Sequence, residues 1–560
     1  MEFFEPILAI IPGIKAVLLA IIALGFLIFI HELGHFLAAK RAGIKVNTFS
    51  IGFGPRIVGF KRGETEYKIS WLPFGGYVQM EGENPSEQTG AEGEFASASL
   101  GKRAFVVIAG PAVNLLFGLL AYWFVFGVGL NADAVRFYNV FTGQSIDKTQ
   151  EGVQIGWFAD DGPAAVGGVM SGDTIVSVNG YRISNWATFS QEIQLNPEKE
   201  LELVVQRDGN LKTLTVVPEA VSNPRGEYGR LNVLKQDDVI VAEIDEGSLA
   251  AQEGIKVGDQ IDTINGEKIY SVPYFVPGIW QPESDWLIKK YQTIYENINQ
   301  NRDSLNLGIR RGDDTLSFQL PVQLQMKVDV EKNSTAQKAG IKTGDILATF
   351  NGKVVDSKSL HSELKAIGDN SVTLGLIREG VEKTVTLSPA DVTKPDVEGT
   401  FYGLKWNPSL SGMILNAPEI PTQKYNLFSA FGKGLETTWL TCTAITRILK
   451  RLLNGEVSPN QLSGPIGIVH ITSETAKVGL TSVLFFIGFI SINLAIVNLL
   501  PIPIADGGHL LFFAMEKIRG RPVPRKAQEI IQQVSFILLI AFFLYITWFD
   551  SLTLFHGLRN

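Results

Sequence analysis

The sequence is poor in residues that usually declare a soluble function. It holds one cysteine, Cys442, in 560 residues. A lone thiol excludes an internal disulfide, a Cys-pair zinc site and a dithiol redox pair. Lys and Arg number 49 against 57 Asp and Glu, a formal charge of −8. That balance excludes a broad nucleic-acid-binding surface, which needs a basic stripe. Charged residues make up only 19% of the chain, and mean hydropathy is positive. Long uncharged stretches alternate with ordinary soluble-looking sequence, which excludes both a disordered chain and a simple soluble enzyme. Length alone suggests three or four units at about 150 residues each.

The uncharged stretches are four. Ala16 to Ala39 contains only His31, Glu32 and His35 as ionisable residues. Ala104 to Leu130, Leu480 to Ile504 and Ile530 to Phe549 contain none. Each reaches the roughly 20 residues that a helix needs to cross a bilayer. The first is too long for a cleavable signal peptide and lacks a small-residue cleavage site. The last, with Gln532 and Gln533 near its start, also suits a buried helix. Loop 40–103 carries nine Lys or Arg and loop 505–529 carries five, whereas the tail after Phe549 has only Arg559. The positive-inside rule then places both basic loops in the cytoplasm. Both termini and the stretch 131–479 fall outside.

That outer stretch repeats itself. "GDTIVSVNG" from Gly172, "GDQIDTING" from Gly258 and "GDILATFNG" from Gly344 lie 86 residues apart. Each is followed by an alternating strand pair around a Gly-containing turn, a half-buried β signal. The shared G-D-x-[IL]-x3-N-G pattern resembles bacterial PDZ domains. That resemblance implies a groove that adds an extended peptide or a C-terminal stub as an extra strand. Rigid spacers or a steric filter fit the same pattern. The predicted architecture is a polytopic α-helical membrane protein with four transmembrane helices and inserted β-rich PDZ-like domains outside the membrane. Its N-terminal membrane part, 1–130, holds helices 16–39 and 104–130. PDZ-like modules span 150–222, 236–323 and 324–392, the second with an aromatic- and Pro-rich insertion. A linker (393–425) and an amphipathic helix (426–455) lead to the C-terminal membrane part, 456–560, with helices 480–504 and 530–549.

"HELGH" at 31–35 is the sharpest chemical signal. His31 and His35, at i and i+4, share one helix face and can bind one metal. Glu32 beside them can take a proton from an attacking water. Burying three ionisable groups in a membrane helix costs several kcal/mol, which favours function over a bland hydrogen-bond cluster. A two-His zinc site needs a third protein ligand and an open position. The other histidines are His361, His470, His509 and His556. The better candidate is Asp506 in "NLLPIPIADGGH", where Pro501 and Pro503 must break the third apolar helix. Irregular backbone at that depth is tolerated where it is buried in protein or lines a wet cavity. His509 competes as a ligand, and Asp506 also suits a plain helix N-cap.

"HELGH" and "NLLPIPIADGG" together resemble the two signatures of site-2 proteases, intramembrane zinc metalloproteases. "FSIGFGPRIVGF…YKISWLPFGGYVQMEGE", "GKRAFVVIAGPAVNLLFG" and "LSGPIGIV" agree, and the arrangement resembles the bacterial RseP-type branch. The chain departs in reading as three modules where that branch carries two, and in Ala505 where Leu is usual. The resemblance implies His31, His35 and Asp506 as ligands of one Zn2+ per chain, with Glu32 as general base and acid. It places Asn498 near the substrate, where its amide can donate to the oxyanion or merely satisfy the broken helix. Implied substrates are single-pass membrane proteins already trimmed outside, such as anti-sigma factors, and remnant signal peptides. The implied location is the bacterial inner membrane, in contact with lipid and with no nucleic acid. The rival is a membrane-anchored PDZ scaffold with a vestigial metal site.

Two accessory features complete the expectation. Residues 56–80 alternate enough for strands that add an unwound substrate or form a plain hairpin. The segment from Asn426 reads as an amphipathic helix on the outer membrane surface, or one packed on the third module.

Overall fold

The computed structural model describes residues 5–557 apart from 84–88, 143–151, 224–225, 271–284, 301–302, 331–333, 355–370, 379–380, 388–403 and 417–421. The longer helices, in chain order, are α1 (Glu5–Ala42), α2 (Leu100–Val128), α3 (Ala132–Thr142), α4 (Trp186–Gln194) and α5 (Asp285–Gln300). They continue with α6 (Leu427–Leu453), α7 (Pro465–Val478), α8 (Leu480–Leu499), α9 (Asp506–Arg519) and α10 (Arg525–Gly557). Four of these, α1, α2, α8 and α10, are long and apolar enough to cross a membrane.

Helix α2 is the centre of the apolar bundle and packs on α1, α6 and α8. Small residues allow the close crossings. Gly118 faces Ile492, Gly488 faces Tyr122, and Ser491 Oγ donates to the Asn114 carbonyl at 2.8 Å. Tyr122, Phe126, Tyr138 and Phe485 seal the end of the bundle with α3 and α6. Helix α10 is different: only 6% of its apolar window is buried, against 33–44% for the other three. It touches the bundle mainly through α7, where Gly467 N donates to Asp550 at 2.9 Å. Helix α6 carries Leu427, Phe428, Phe431, Leu435 and Trp439 exposed along one side.

Between α1 and α2, strands β1 (Val46–Arg62) and β2 (Thr65–Met80) form a bent sheet. The start of β1 pairs on both sides: residues 48–51 with 66–69, and 46–51 with 76–80. Its outer half exposes Phe53, Ile57, Val58, Phe60, Trp71 and Leu72.

The three β modules share more than a motif. The motif Asp of each accepts hydrogen bonds from Nε and Nη2 of one Arg: Arg207 to Asp173 and Arg311 to Asp259 at 2.6 and 2.7 Å, and Arg378 to Asp345 at 2.6 Å twice. Each Arg also donates to a glycine carbonyl, Gly168, Gly254 or Gly340. Burial pushes the Asp259 and Asp345 carboxyls up, but the guanidinium bonds outweigh it and hold both below the ordinary value. The motif Asn residues, Asn179, Asn265 and Asn351, have φ of 48–50° and precede glycines at positive φ, as a two-residue hairpin turn requires.

The modules are not simply consecutive. In the first, strand Val233–Lys235 returns to pair with Val153–Phe158. In the third, Leu404–Leu410 returns to pair with Leu324–Val330. The corresponding partner of Ile240–Ile244, in the second module, is Met413–Asn416, which lies beyond the third. The third module is therefore nested inside the second, and the two share one continuous 12-stranded sheet. A tight turn at Ser411 and Gly412 joins the two return strands, and Ser411 Oγ donates to the Pro321 carbonyl at 2.7 Å. This corrects the expected linker 393–425, which contains both return strands. Their pairing is long-range, so no local signal announced it. In the expected insertion of the second module, residues 271–284 lie outside the described residues. The remainder is α5, whose Leu287 and Ile298 join that module's core.

Candidate metal centre

The local sequence explains how α1 presents its polar groups. His31 and His35, one turn apart, point to the same side, and both are buried. Their Nε2 atoms lie 3.0 Å apart. The opposing surface is α2, and it comes close because Gly110 has no side chain. A Cβ at Gly110 would overlap His35 Nε2 and sit 2.9 Å from His31 Cε1. His35 Nδ1 lies 2.8 Å from the Val106 carbonyl of α2, a contact that places the proton on Nδ1 and leaves Nε2 with its lone pair.

The third group arrives from the other end of the chain. Helix α8 stops at Leu499, and Pro501 and Pro503 keep residues 500–505 non-helical. Asp506 is the first residue of α9, and the N-cap position is Ala505, so Asp506 is not the cap. Its carboxylate instead faces the histidines: Oδ2 is 3.1 Å from His31 Nε2, and Oδ1 is 3.5 Å from His35 Nε2. Gly507 and Gly508 make room, because each would place a Cβ against carbonyls of the broken stretch.

These donors suit a zinc ion. Bonds of 2.0–2.1 Å in a tetrahedron separate ligand atoms by about 3.3 Å. The observed separations, 3.0 to 3.5 Å, bracket that value. Asp506 Oδ2 is buried without a hydrogen bond, as an oxygen awaiting a cation would be. Asn114 of α2 supports the same chemistry. Its Nδ2 lies 3.3 Å from His31 Nδ1 while its buried Oδ1 has no partner. The opposite amide orientation gives Oδ1 the Nδ1 proton that a ligating Nε2 requires. His31, His35 and Asp506 are the one such ligand group among the described residues.

The group opens into a cleft of about 320 Å³ lined by His31, Glu32, His35, Tyr77, Asn498 and His509, among others. Glu32 Oε2 accepts the Val78 amide of β2 at 3.1 Å. Asn498 Nδ2 lies 3.4 Å from His31 Nε2. His509 lines the cleft but does not join the ligand group. His470 lies on α7, outside the group, whereas the side chain of His556 and the whole of His361 are outside the described residues.

A model of peptidase family M50 matches residues 19–542. The chain belongs to peptidase family M50, the site-2 proteases. Curated relatives cover it almost from end to end. The regulator of sigma-E protease RseP of Escherichia coli is 30% identical over 531 residues, spanning 93% of this chain and 94% of its own. Protease RseP of Yersinia pestis is 28% identical over 536 residues, with the same shares. The regulator of sigma E protease of Haemophilus influenzae is 28% identical over 554 residues, 95% of this chain and 98% of its own. Relatives from Vibrio cholerae and Neisseria meningitidis carry names that describe zinc metalloproteases. This M50 chain is a site-2-type intramembrane metalloprotease.

Sequence reasoning brought His31, Glu32, His35, Asp506 and Asn498 to the M50 site, and the structure gathers all five around one cleft. It missed the contributions of α2: the Val106 carbonyl, Gly110 and Asn114. Their spacing of four residues from 106 through 110 to 114 marks one helix face, which was the available signal.

Proposed function

We propose that the protein is an intramembrane zinc endopeptidase that cuts membrane-spanning segments of single-pass proteins. The observation that carries this is the convergence of His31, His35 and Asp506, from opposite ends of the chain, beside Glu32 in one cleft. His31, His35 and Asp506 would hold one zinc. When bound, zinc supplies a Lewis acid that acidifies water and polarises the scissile carbonyl. Glu32 takes the proton from the attacking water and passes it to the leaving nitrogen. The Val78 amide holds one Glu32 oxygen and leaves the other for that proton. Asn498 donates its amide to the developing oxyanion.

A membrane helix hides its amides in its own hydrogen bonds, so the substrate must unwind before attack. The stretch 76–80 pairs with β1 on one side and contributes Tyr77 and Val78 to the cleft on the other. An unwound substrate lies along it as an added strand. The names of the relatives point to anti-sigma factors as the substrate class, and remnant signal peptides fit the same site. The protein resides in the bacterial inner membrane, with loops 40–103 and 505–529 cytoplasmic and the β modules outside. The modules, PDZ-like in motif, receive a trimmed stub or exclude untrimmed substrates.

The test compares wild type with Glu32→Gln on a single-span substrate in liposomes. Wild type cuts, chelator stops it, and Glu32→Gln retains zinc but not activity. Zinc at one per chain with no cleavage of several substrates by wild type would point to a scaffold instead.

A further inference from the structure

The broken stretch 500–505 poses a positional problem for Asp506. Helix α9 is not continuous with α8, so helical continuity with α8 does not set its direction. Something else must orient the helix whose first residue is a ligand. The strongest polar tie lies at its far end. Arg103, in the first turn of α2, meets Glu516 of α9 with Nη2 at 2.6 Å from Oε1 and Nη1 at 3.2 Å from Oε2. The two side chains are 13% and 18% exposed, so the pair is shielded rather than a loose surface contact. The guanidinium is itself held: Nε donates to the Ala98 carbonyl at 3.1 Å, and the plane lies 5.0 Å from the Phe513 ring centre. Phe513 in turn stands 6.3 Å from Phe95, a residue that packs on the first turns of α2.

Arg103 also belongs to a pattern. Arg103, Val106, Gly110 and Asn114 follow at intervals of three, four and four, which is one face of a helix. Val106 receives His35, Gly110 admits both imidazoles, and Asn114 faces His31. Arg103 reaches the third ligand through α9. One face of α2 thus references all three ligands.

We propose that Arg103 is a positioning residue for the metal centre: by its paired bonds to Glu516 it sets α9, and with it the Asp506 carboxylate, relative to His31 and His35. The inference rests on the reading that these three residues hold the metal. Outer-shell partners typically change metal affinity by about 10–100-fold. Arg103 acts through a helix rather than a direct bond, so its effect falls at about the tenfold end.

The experiment measures zinc affinity of the full-length protein in detergent, by competition with a chromogenic chelator, for wild type, Arg103→Gln, Glu516→Gln and the swapped pair Arg103→Glu with Glu516→Arg. Thermal melting of each zinc-free form reports folding. Each single variant is expected to bind zinc about tenfold more weakly, with kcat lowered and KM unchanged, and the swap to recover most of both. Singles that fold and bind zinc like wild type overturn the proposal. So do folded singles whose loss the swap does not repair. If the Gln variants do not fold, Arg103→Lys keeps the charge but not the fork, and wild-type affinity there overturns it equally. Zinc affinity is read without substrate, so wild type that binds zinc but cuts nothing refutes the protease reading and leaves this comparison intact. Wild type that binds no zinc overturns both.

Discussion

Gly110 of α2 lies directly against the His35 imidazole, with no space for a Cβ between them. The contact is backbone against ring, so neither side yields cheaply. Gly110→Ala is expected to push His35 and His31 apart from Asp506. Zinc retention and cleavage should both fall by about a hundredfold, the upper range for disturbing a ligand's support. Gly127→Ala in the same helix, where a Cβ meets nothing within 4 Å, is the control and should behave like wild type. Zinc content after dialysis, measured beside peptidase rate, checks both.

Asn498 and Asp506 are eight residues apart but should fail differently. Asp506→Asn removes a charged ligand and is expected to lose zinc and activity together. Asn498→Ala leaves all three ligands in place. It should keep zinc within a few-fold and lose about 10²–10³ in kcat, as loss of an oxyanion donor does. Equal zinc loss in both variants would show that Asn498 supports the metal rather than the transition state.

The legible part of this protein was the part that local chemistry writes. His31, Glu32 and His35 share a helical spacing, and Asp506 follows a proline break that is tolerated at that depth only where it is buried in protein or lines a wet cavity. The repeat was legible because the motif Asp and Asn each do a fixed local job. The Asn turns the chain at positive φ, and the Asp clamps one Arg. The role of α2 was hidden because a glycine, a backbone carbonyl and an amide such as Asn114 do not announce a metal site by residue type. The nested module was hidden because strand Met413–Asn416 is short and its partner Ile240–Ile244 lies far back in sequence.

Nesting alters where the modules can be cut. A fragment ending at 392 would strand Ile240–Ile244 without its return partner and expose a sheet edge. The second module alone as 236–323 lacks the same partner and is expected to aggregate or melt broadly. The same fragment with residues 412–416 joined after 323 should fold cooperatively, because the third module begins and ends at neighbouring points of the second. Thermal melting of the two soluble fragments decides this. A cooperative 236–323 fragment would show that the return strand is dispensable. Deletion of the whole array should therefore run from 152 to 416, so that the return strand Met413–Asn416 leaves with the modules it completes. The shortened enzyme should then cut substrates with long outer domains, and continued rejection of them would refute the filter.

Glu192 and Arg451 join the first β module to the membrane part. Glu192 lies on α4 and is 5% exposed; both its oxygens meet Arg451 of α6, at 2.8 and 2.7 Å. Arg447, one turn away, stacks 4.5 Å over the Tyr181 ring of the same module. Removing one partner of such a shielded pair leaves a buried charge, at a cost of about 3 kcal/mol. The module's own core does not include this contact, so the loss should appear as undocking rather than unfolding. Arg451→Ala is therefore expected to speed hydrogen exchange along Trp186–Gln194 while the module's strands stay protected. If the module acts as a filter only when held against α6, the same variant should cut long-ectodomain substrates faster and leave short ones unchanged. Faster exchange with unchanged selectivity would separate docking from filtering, and unchanged exchange would show that the remaining contacts of α4 suffice to hold the module.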